Sequence, residues 1–402
     1  MIPKMDIPSR IILLLCLFLP LAISPWAFDD AYYLKEALLL GVGGMILFRG
    51  AIGLWLGRAE GVVLPLPVVL LLAFVLASVW QVTNMWLFAF RLALLVSGLV
   101  LFVIVARSNS IPARGARFLK ALCLSAFIAT CYGFVQQLGL DPFLAPDTRF
   151  VSTFGNPQLY AEFVAPLLPA FFCLVLMARK TRSIAMATAG IVVVSLGLFW
   201  SQARGPGFAG VAALVFLLWG LFRTYPGLLR ERGRRACICA AALGVAAGLV
   251  VITGRLAVWK PWSTTAPSNV SRSAGGVAPA RPTKMGDLGV DFRLAVFRDT
   301  LSMIRDRPLT GFGLGNFRIA FGRFAKAFGE SFPERENEVV PVGHVHNDFL
   351  EVAAELGLPA AAVFVWMLLA FVRAGVANPG PGFSDEGWPK LAIRRAITTP
   401  LQ

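Results

Sequence analysis

Residues 184–200 read IAMATAGIVVVSLGLFW, an uncharged apolar run that begins just after Arg182 and stops just before the SQARG of residues 201–205. As a helix, a run of roughly 17 residues nearly crosses a hydrocarbon core of about 30 Å while satisfying its own backbone hydrogen bonds. Comparable runs stand at residues 11–28, 34–48, 62–80, 87–106, 119–138, 160–178, 206–222, 236–253 and 358–372. An all-α polytopic membrane protein of about ten transmembrane helices is therefore expected. Composition agrees: the chain is 57% hydrophobic and 15% charged, whereas soluble domains carry about 25% charged residues. The short alternating segments of a transmembrane β-barrel are absent from the sequence. Lys4 and Arg10 before the first run give it the layout of a signal peptide. No small-x-small cleavage site follows and Trp26 suits a membrane interface, so this run is expected to stay as the first span.

The net charge of +15 does not point to nucleic acid, because the basic residues are spread through loops rather than gathered in a patch with interleaved aromatics. They alternate instead. Lys4 and Arg10, Arg49 and Arg58, Arg107 to Lys120, Arg179 to Arg182, and Arg223 to Arg235 fall on one side; the opposite short loops hold little beyond Lys35, Arg149 and Arg204. The positive-inside rule makes the first side cytoplasmic, with both termini there. The expected plan is nine spans in residues 1–253, a long outer loop on the non-cytoplasmic side at 254–357, a tenth span at 358–373 and a cytoplasmic tail at 374–402. Cys16, Cys123, Cys131, Cys173, Cys237 and Cys239 lie in or beside apolar runs without metal-ligand spacing, and are read as packing residues.

The long loop changes character along its length. Residues 261–284, PWSTTAPSNVSRSAGGVAPARPTK, have too few large apolar residues to offset the entropy of ordering and are expected to form a loop. From Asp287 onward, Phe292, Val296 with Phe297, Thr300 with Leu301, and Ile304 recur at helical spacing, and Pro308 ends the run. This predicts an amphipathic helix, followed by a glycine-permitted turn at GFGLG, residues 311–315. A second helix is expected at 316–328, with Phe317, Phe321, Phe324 and Phe328 on one stripe, then a charged loop at 330–340. In HNDFLEVAAELGLP, residues 346–359, Asn347 or Asp348 can cap a short helix. Glu351 stands three after Asp348 as in a capping box, and Gly357 with Pro359 separates that helix from the last span.

The chain has two histidines, His344 and His346. An imidazole titrates near neutrality, so a positioned ring can take the proton of a hydroxyl as that hydroxyl attacks. His346 is the stronger candidate and His344, two residues earlier in a loop, is read as a bystander. HVH has no third histidine, no HExxH and no cysteine nearby, so no metal site and no cofactor are expected. Arg149 in RFVSTFGNPQ, Arg204 in SQARG, and Arg293 are cations on the face that is otherwise poor in them, where guanidinium forks suit phosphate oxygens.

Four stretches together resemble the O-antigen ligase and O-antigen polymerase superfamily: Arg149 followed by FGNPQLYAEF, SQARG between two spans, RLAVFRDTLSMIRDRPLTGFGLGNF from Arg293 to Phe317, and HNDFLEVAAELGLPA from His346. The match runs over roughly residues 145–372, in order. The resemblance implies transfer of a glycan from an undecaprenyl-diphosphate carrier to an acceptor hydroxyl at the periplasmic face, by direct attack with inversion and without metal. The implied catalytic residues are His346 and Arg204, with Arg149, Arg204 and Arg293 on the diphosphate and Asn347 and Asn156 in support. The implied partners are the lipid-linked glycan, membrane lipids and an acceptor glycolipid, glycan or protein. A ligase acting on lipid A core is the first reading; polymerase and protein O-oligosaccharyltransferase share the donor. A transporter of an anionic amphiphile would also use such arginines, but it should carry ionisable residues near the bilayer midplane and repeats of interrupted helices. Family members usually continue through further spans after the histidine helix, whereas one span and a polar tail are expected here, as in a shortened member.

Overall fold

The computed structural model describes residues 7–23, 33–55, 64–107, 115–141, 150–178, 180–224, 233–255, 288–326 and 342–377. Among these residues there are helices and turns and no strand. The helices are α1 (Ile7–Phe18), α2 (Tyr33–Trp55), α3 (Leu66–Ala77), α4 (Met85–Arg107), α5 (Gly115–Gln137), α6 (Pro157–Val164), α7 (Leu167–Met177), α8 (Thr181–Ser201), α9 (Arg204–Thr224), α10 (Gly233–Arg255), α11 (Leu288–Asp306), α12 (Phe317–Ala320), α13 (Asp348–Leu356) and α14 (Leu358–Ala377).

A helix lies on every apolar run singled out above. Among the described residues 5 are long and apolar enough to cross a membrane: Met85–Ile104, Ala116–Gln137, Pro157–Met177, Thr181–Ser201 and Gly205–Arg223. Ser9–Leu21, Leu66–Gln81 and Leu358–Ala370 are shorter apolar helices. The protein is thus an all-helical, multi-pass membrane protein, with fewer full-length candidates among these residues than the expected ten. The run at 160–178 is interrupted: α6 ends at Val164 and α7 begins at Leu167, with Pro166 between them. Proline has no N–H for the helix ladder, and Leu168 instead donates to the Ala165 carbonyl at 3.2 Å in a tighter turn.

The chain divides into two compact units, residues 1–39 with 108–271 and residues 40–107 with 272–402. The first unit packs α8 on α7, α10 and α5 around Tyr160, Phe150, Phe171, Val175, Ile191 and Val194. Lipid supplies no hydrophobic drive between helices, so close packing of small residues and satisfied polar groups hold them. Gly197 shows the first device: a Cβ there would collide with the Tyr160 hydroxyl. That hydroxyl shows the second, lying 2.8 Å from Thr130 Oγ1 inside the core. The Phe150 ring stands edge-on to Phe134 at 5.1 Å and tilted on Tyr160 at 5.0 Å.

The second unit packs α11 on α13, and α14 on α13 and α3. Its core gathers Val296, Met303, Phe312, Phe317, Phe321, Val345 and Ala354. The face that α11 buries is Ala295, Val296, Asp299, Thr300, Met303 and Ile304, while Leu301 is 43% exposed. The expected stripe held Leu301 and omitted Met303; a period of 3.6 from Val296 reaches 299, 300 and 303 and leaves 301 off the face.

The expected helix at 316–328 is not one helix. The chain makes the short α12, then a 3₁₀ turn at Phe321–Arg323. Phe324 and Lys326 bond back to the Phe321 and Phe324 carbonyls instead of continuing the ladder. Phe317 and Phe321 fill the core while Phe324 turns edge-on to Phe312 at 5.5 Å, a contact that one continuous stripe does not require. Phe328, the loops expected at 261–284 and 330–340, and the tail from 378 lie outside the described residues.

Candidate active site

The histidine segment runs from Val342 into α13. Asn347 is the N-cap, with extended backbone at φ −154°, and its Oδ1 accepts from the Phe349 and Leu350 N–H groups at 3.1 and 3.2 Å. Asparagine suits this place because its short amide oxygen satisfies N–H groups that the first helical turn leaves without partners. Asn347→Ala should therefore lower stability by about 1 kcal/mol, and Asn347→Asp should restore most of it, as read by thermal melting in detergent.

His346, just before the cap, is exposed and takes a left-handed backbone with φ 60°. That conformation is uncommon for a residue with a Cβ and costs of order 1 kcal/mol. Its ring stands edge-on to Phe292, centroids 6.4 Å apart. Phe292 lies on α11 and precedes Arg293, so the fold brings the Arg293 helix to His346, with Arg293 exposed.

Glu351 does not close the expected capping box, in which it would bond the backbone of the cap. Its Oε2 accepts from the Val345 N–H at 3.1 Å and its Oε1 lies 3.0 Å from His344 Nδ1. His344, read from sequence as a bystander to the chemistry, is thus a hydrogen-bond partner of Glu351. Burial pushes the Glu351 carboxyl up, but the hydrogen bond and charge of His344, the Val345 N–H and the charge of Arg91 outweigh it, and the net shift is downward.

One turn further on, Glu355 is 7% exposed, and its Oε1 accepts from the Phe317 N–H at 3.1 Å. Burial raises its carboxyl to about 7, opposed by the Gly315 and Phe317 N–H groups and by Arg91, with Glu351 adding to the rise. The GFGLG turn, with Gly311, Gly313 and Gly315 all at positive φ, wraps this carboxylate. Phe312 and Gly313 donate to the Ala354 and Glu355 carbonyls at 3.0 and 2.7 Å. A Cβ on Gly311 would run into the Glu355 backbone, which is the close approach that requires glycine there. Asn316 completes the turn, donating to the Phe312 carbonyl at 2.8 Å and accepting from Thr83 Oγ1 at 2.7 Å. Arg91, Glu355 and Asn316 were missed in the sequence reading, and Glu351 was read there only as a capping-box residue. Arg91 sits inside an apolar run and the glutamates sit in a short helix, so periodicity alone does not mark them.

In the other unit, Asn156 is the N-cap of α6, its Oδ1 accepting from the Gln158 N–H at 2.8 Å. Pro157 follows at the first helical position, where its missing N–H costs nothing. The preceding turn is built tightly. Ser152 is buried at φ 54°, its Oγ donating to the Ala129 carbonyl, and Thr153 Oγ1 donates to the Pro20 carbonyl at 2.7 Å. Lys35 Nζ donates to the Thr153 carbonyl and lies 4.6 Å over the Phe154 ring. Arg204 is the first residue of α9, two residues after the left-handed Gln202; its side chain lies outside the described residues. Arg149 lies outside them altogether.

A family model described as O-Antigen ligase matches residues 189–365. The matched stretch holds Arg204, Arg293, His346 and Asn347, and leaves out Arg149 and Asn156. No curated protein and no solved structure matches the chain.

Proposed function

We propose, from the match of residues 189–365 to the O-antigen ligase family model, that this chain is a member of that family and moves a glycan from an undecaprenyl-diphosphate carrier to a hydroxyl of lipid A core at the periplasmic face of the bacterial inner membrane. The observation that carries the reading is His346: an exposed imidazole held in a left-handed backbone before a capped helix, its ring against the helix that bears Arg293. In the proposed step the acceptor oxygen attacks the anomeric carbon as the bond to the diphosphate oxygen breaks. The configuration inverts, and the hydroxyl proton passes to His346. Negative charge grows on the departing diphosphate, and Arg204, with Arg149 and Arg293, stabilises it without a metal. Asn347 holds the histidine segment and Asn156 the turn that follows Arg149.

Purified protein is offered undecaprenyl-diphosphate-linked glycan with lipid A core, with a second lipid-linked glycan, or with a pilin-like protein. Modified lipid A core is the expected product, and Arg204→Ala should slow its formation by about 100- to 1,000-fold. Lengthened glycan would make the protein a polymerase, and glycosylated pilin an oligosaccharyltransferase. Donor that binds while no acceptor is modified would overturn the transferase reading.

A further inference from the structure

We infer that Glu351 is the positioning residue of the two-histidine segment, acting on the transfer reaction through His344 and the backbone before His346 and not by touching substrate. The inference rests on the proposed role of His346.

Both carboxylate oxygens of Glu351 are engaged by consecutive residues, one by an imidazole nitrogen and one by a backbone N–H. Val345, whose N–H is held, is fully buried, so the chain is anchored immediately before His346. Asn347 anchors it immediately after, through the first turn of α13. Between these two clamps lies the one left-handed residue of the segment. Without the Glu351 clamp, residue 346 can relax to negative φ, which would swing its ring away from Phe292.

The contact with His344 has a chemical consequence. A carboxylate only accepts, so the nitrogen facing it must carry the proton. Neutral His344 is thereby held as the Nδ1–H tautomer, with Nε2 as the acceptor, on a side chain that is 47% exposed. The depressed carboxyl of Glu351 is consistent with an ionised clamp. A residue that merely favours the helix N-terminus by its charge would impose no tautomer.

Because the chain has 2 histidines, ¹⁵N-histidine labelling of the full protein in detergent gives four ring nitrogens, which His344→Gln assigns. At the alkaline plateau the wild type should show His344 with its proton on Nδ1. In Glu351→Gln the amide keeps its oxygen for the Val345 N–H and turns its NH₂ to the ring, so His344 should switch to Nε2–H. In the same variant kcat should fall by up to about 100-fold with the donor KM little changed, as expected for misplacement of about 1 Å. A wild-type His344 with its proton on Nε2, or a tautomer that Glu351→Gln leaves unchanged, would overturn the inference, as would a variant that turns over at the wild-type rate. If the variant fails to fold, the wild-type spectrum decides alone. The spectrum is read without substrate, so a wild type that transfers nothing counts against the proposed function and leaves the tautomer result standing.

Discussion

Glycan transfer should fall by about 100- to 10,000-fold in His346→Ala, the range for loss of a positioned general base, while donor affinity stays within a few-fold. The split follows from the proposed role: His346 meets the acceptor hydroxyl in the transition state, whereas the arginines meet the diphosphate in both ground and transition states. The backbone at His346 supplies an independent check on the site's construction. At φ 60° a Cβ is disfavoured and a glycine is not. His346→Ala and His346→Gly both delete the ring and its contact with Phe292, yet the glycine variant should be more stable than the alanine variant by about 1 kcal/mol. Strain at a functional position is retained when the surroundings over-determine it, here through Asn347 and Glu351 on either side. Turnover of His346→Ala at the wild-type rate would remove the proton-accepting role, and equal melting of the alanine and glycine variants would remove the strain.

The second large effect is on stability and centres on Glu355. Its carboxyl is raised from 4.5 to about 7 in the folded protein, burial being the largest cause. A carboxyl with a raised folded pKa binds its proton more tightly in the folded than in the unfolded chain. Its contribution is fully present below the unfolded value of 4.5 and is lost as pH climbs through about 7. A displacement of this size corresponds to about 3 kcal/mol. Wild-type melting in detergent should therefore decline between pH 5 and 8, at roughly these bounds. Glu355→Gln, which cannot ionise, should flatten that decline. Glu355→Ala should be the least stable at every pH, by about 2–4 kcal/mol, since it opens a cavity and leaves the Phe317 and Gly315 N–H groups without their acceptor. Glu351 acts in the opposite sense and in a different window: its lowered carboxyl contributes above 4.5 and loses that contribution as pH falls through the folded value. A Glu355→Gln variant that still declines as the wild type does would assign the pH dependence to another group.

The membrane character, the place of the apolar helices, the amphipathic α11, the glycine turn and a cap at Asn347 or Asp348 were all legible along the chain, because each depends on residues within a few positions of one another; the structure selects Asn347. Periodicity failed where side chains answer to distant partners. Phe324 leaves the stripe of Phe317 and Phe321 to meet Phe312, and Leu301 yields its place on the buried face to Met303. His344 resembled a loop residue until α13 brought Glu351 back to it. The Asx cap, by contrast, was readable because its acceptor and donors are two and three residues apart.

By itself the sequence determined that this is a helical membrane protein and that residues 189–365 match the O-antigen ligase family model, since hydrophobic run length is set by bilayer thickness and the matching residues stand in linear order. Only the tertiary structure decided that His346 is left-handed, that Glu351 holds His344 and Val345, and that Glu355 is buried under a turn bonded to it from 38 residues away. The reason is physical: a backbone angle that costs energy and a carboxylate that loses its water persist only when packing and hydrogen bonds from other segments compensate them, and no local pattern records where those segments return.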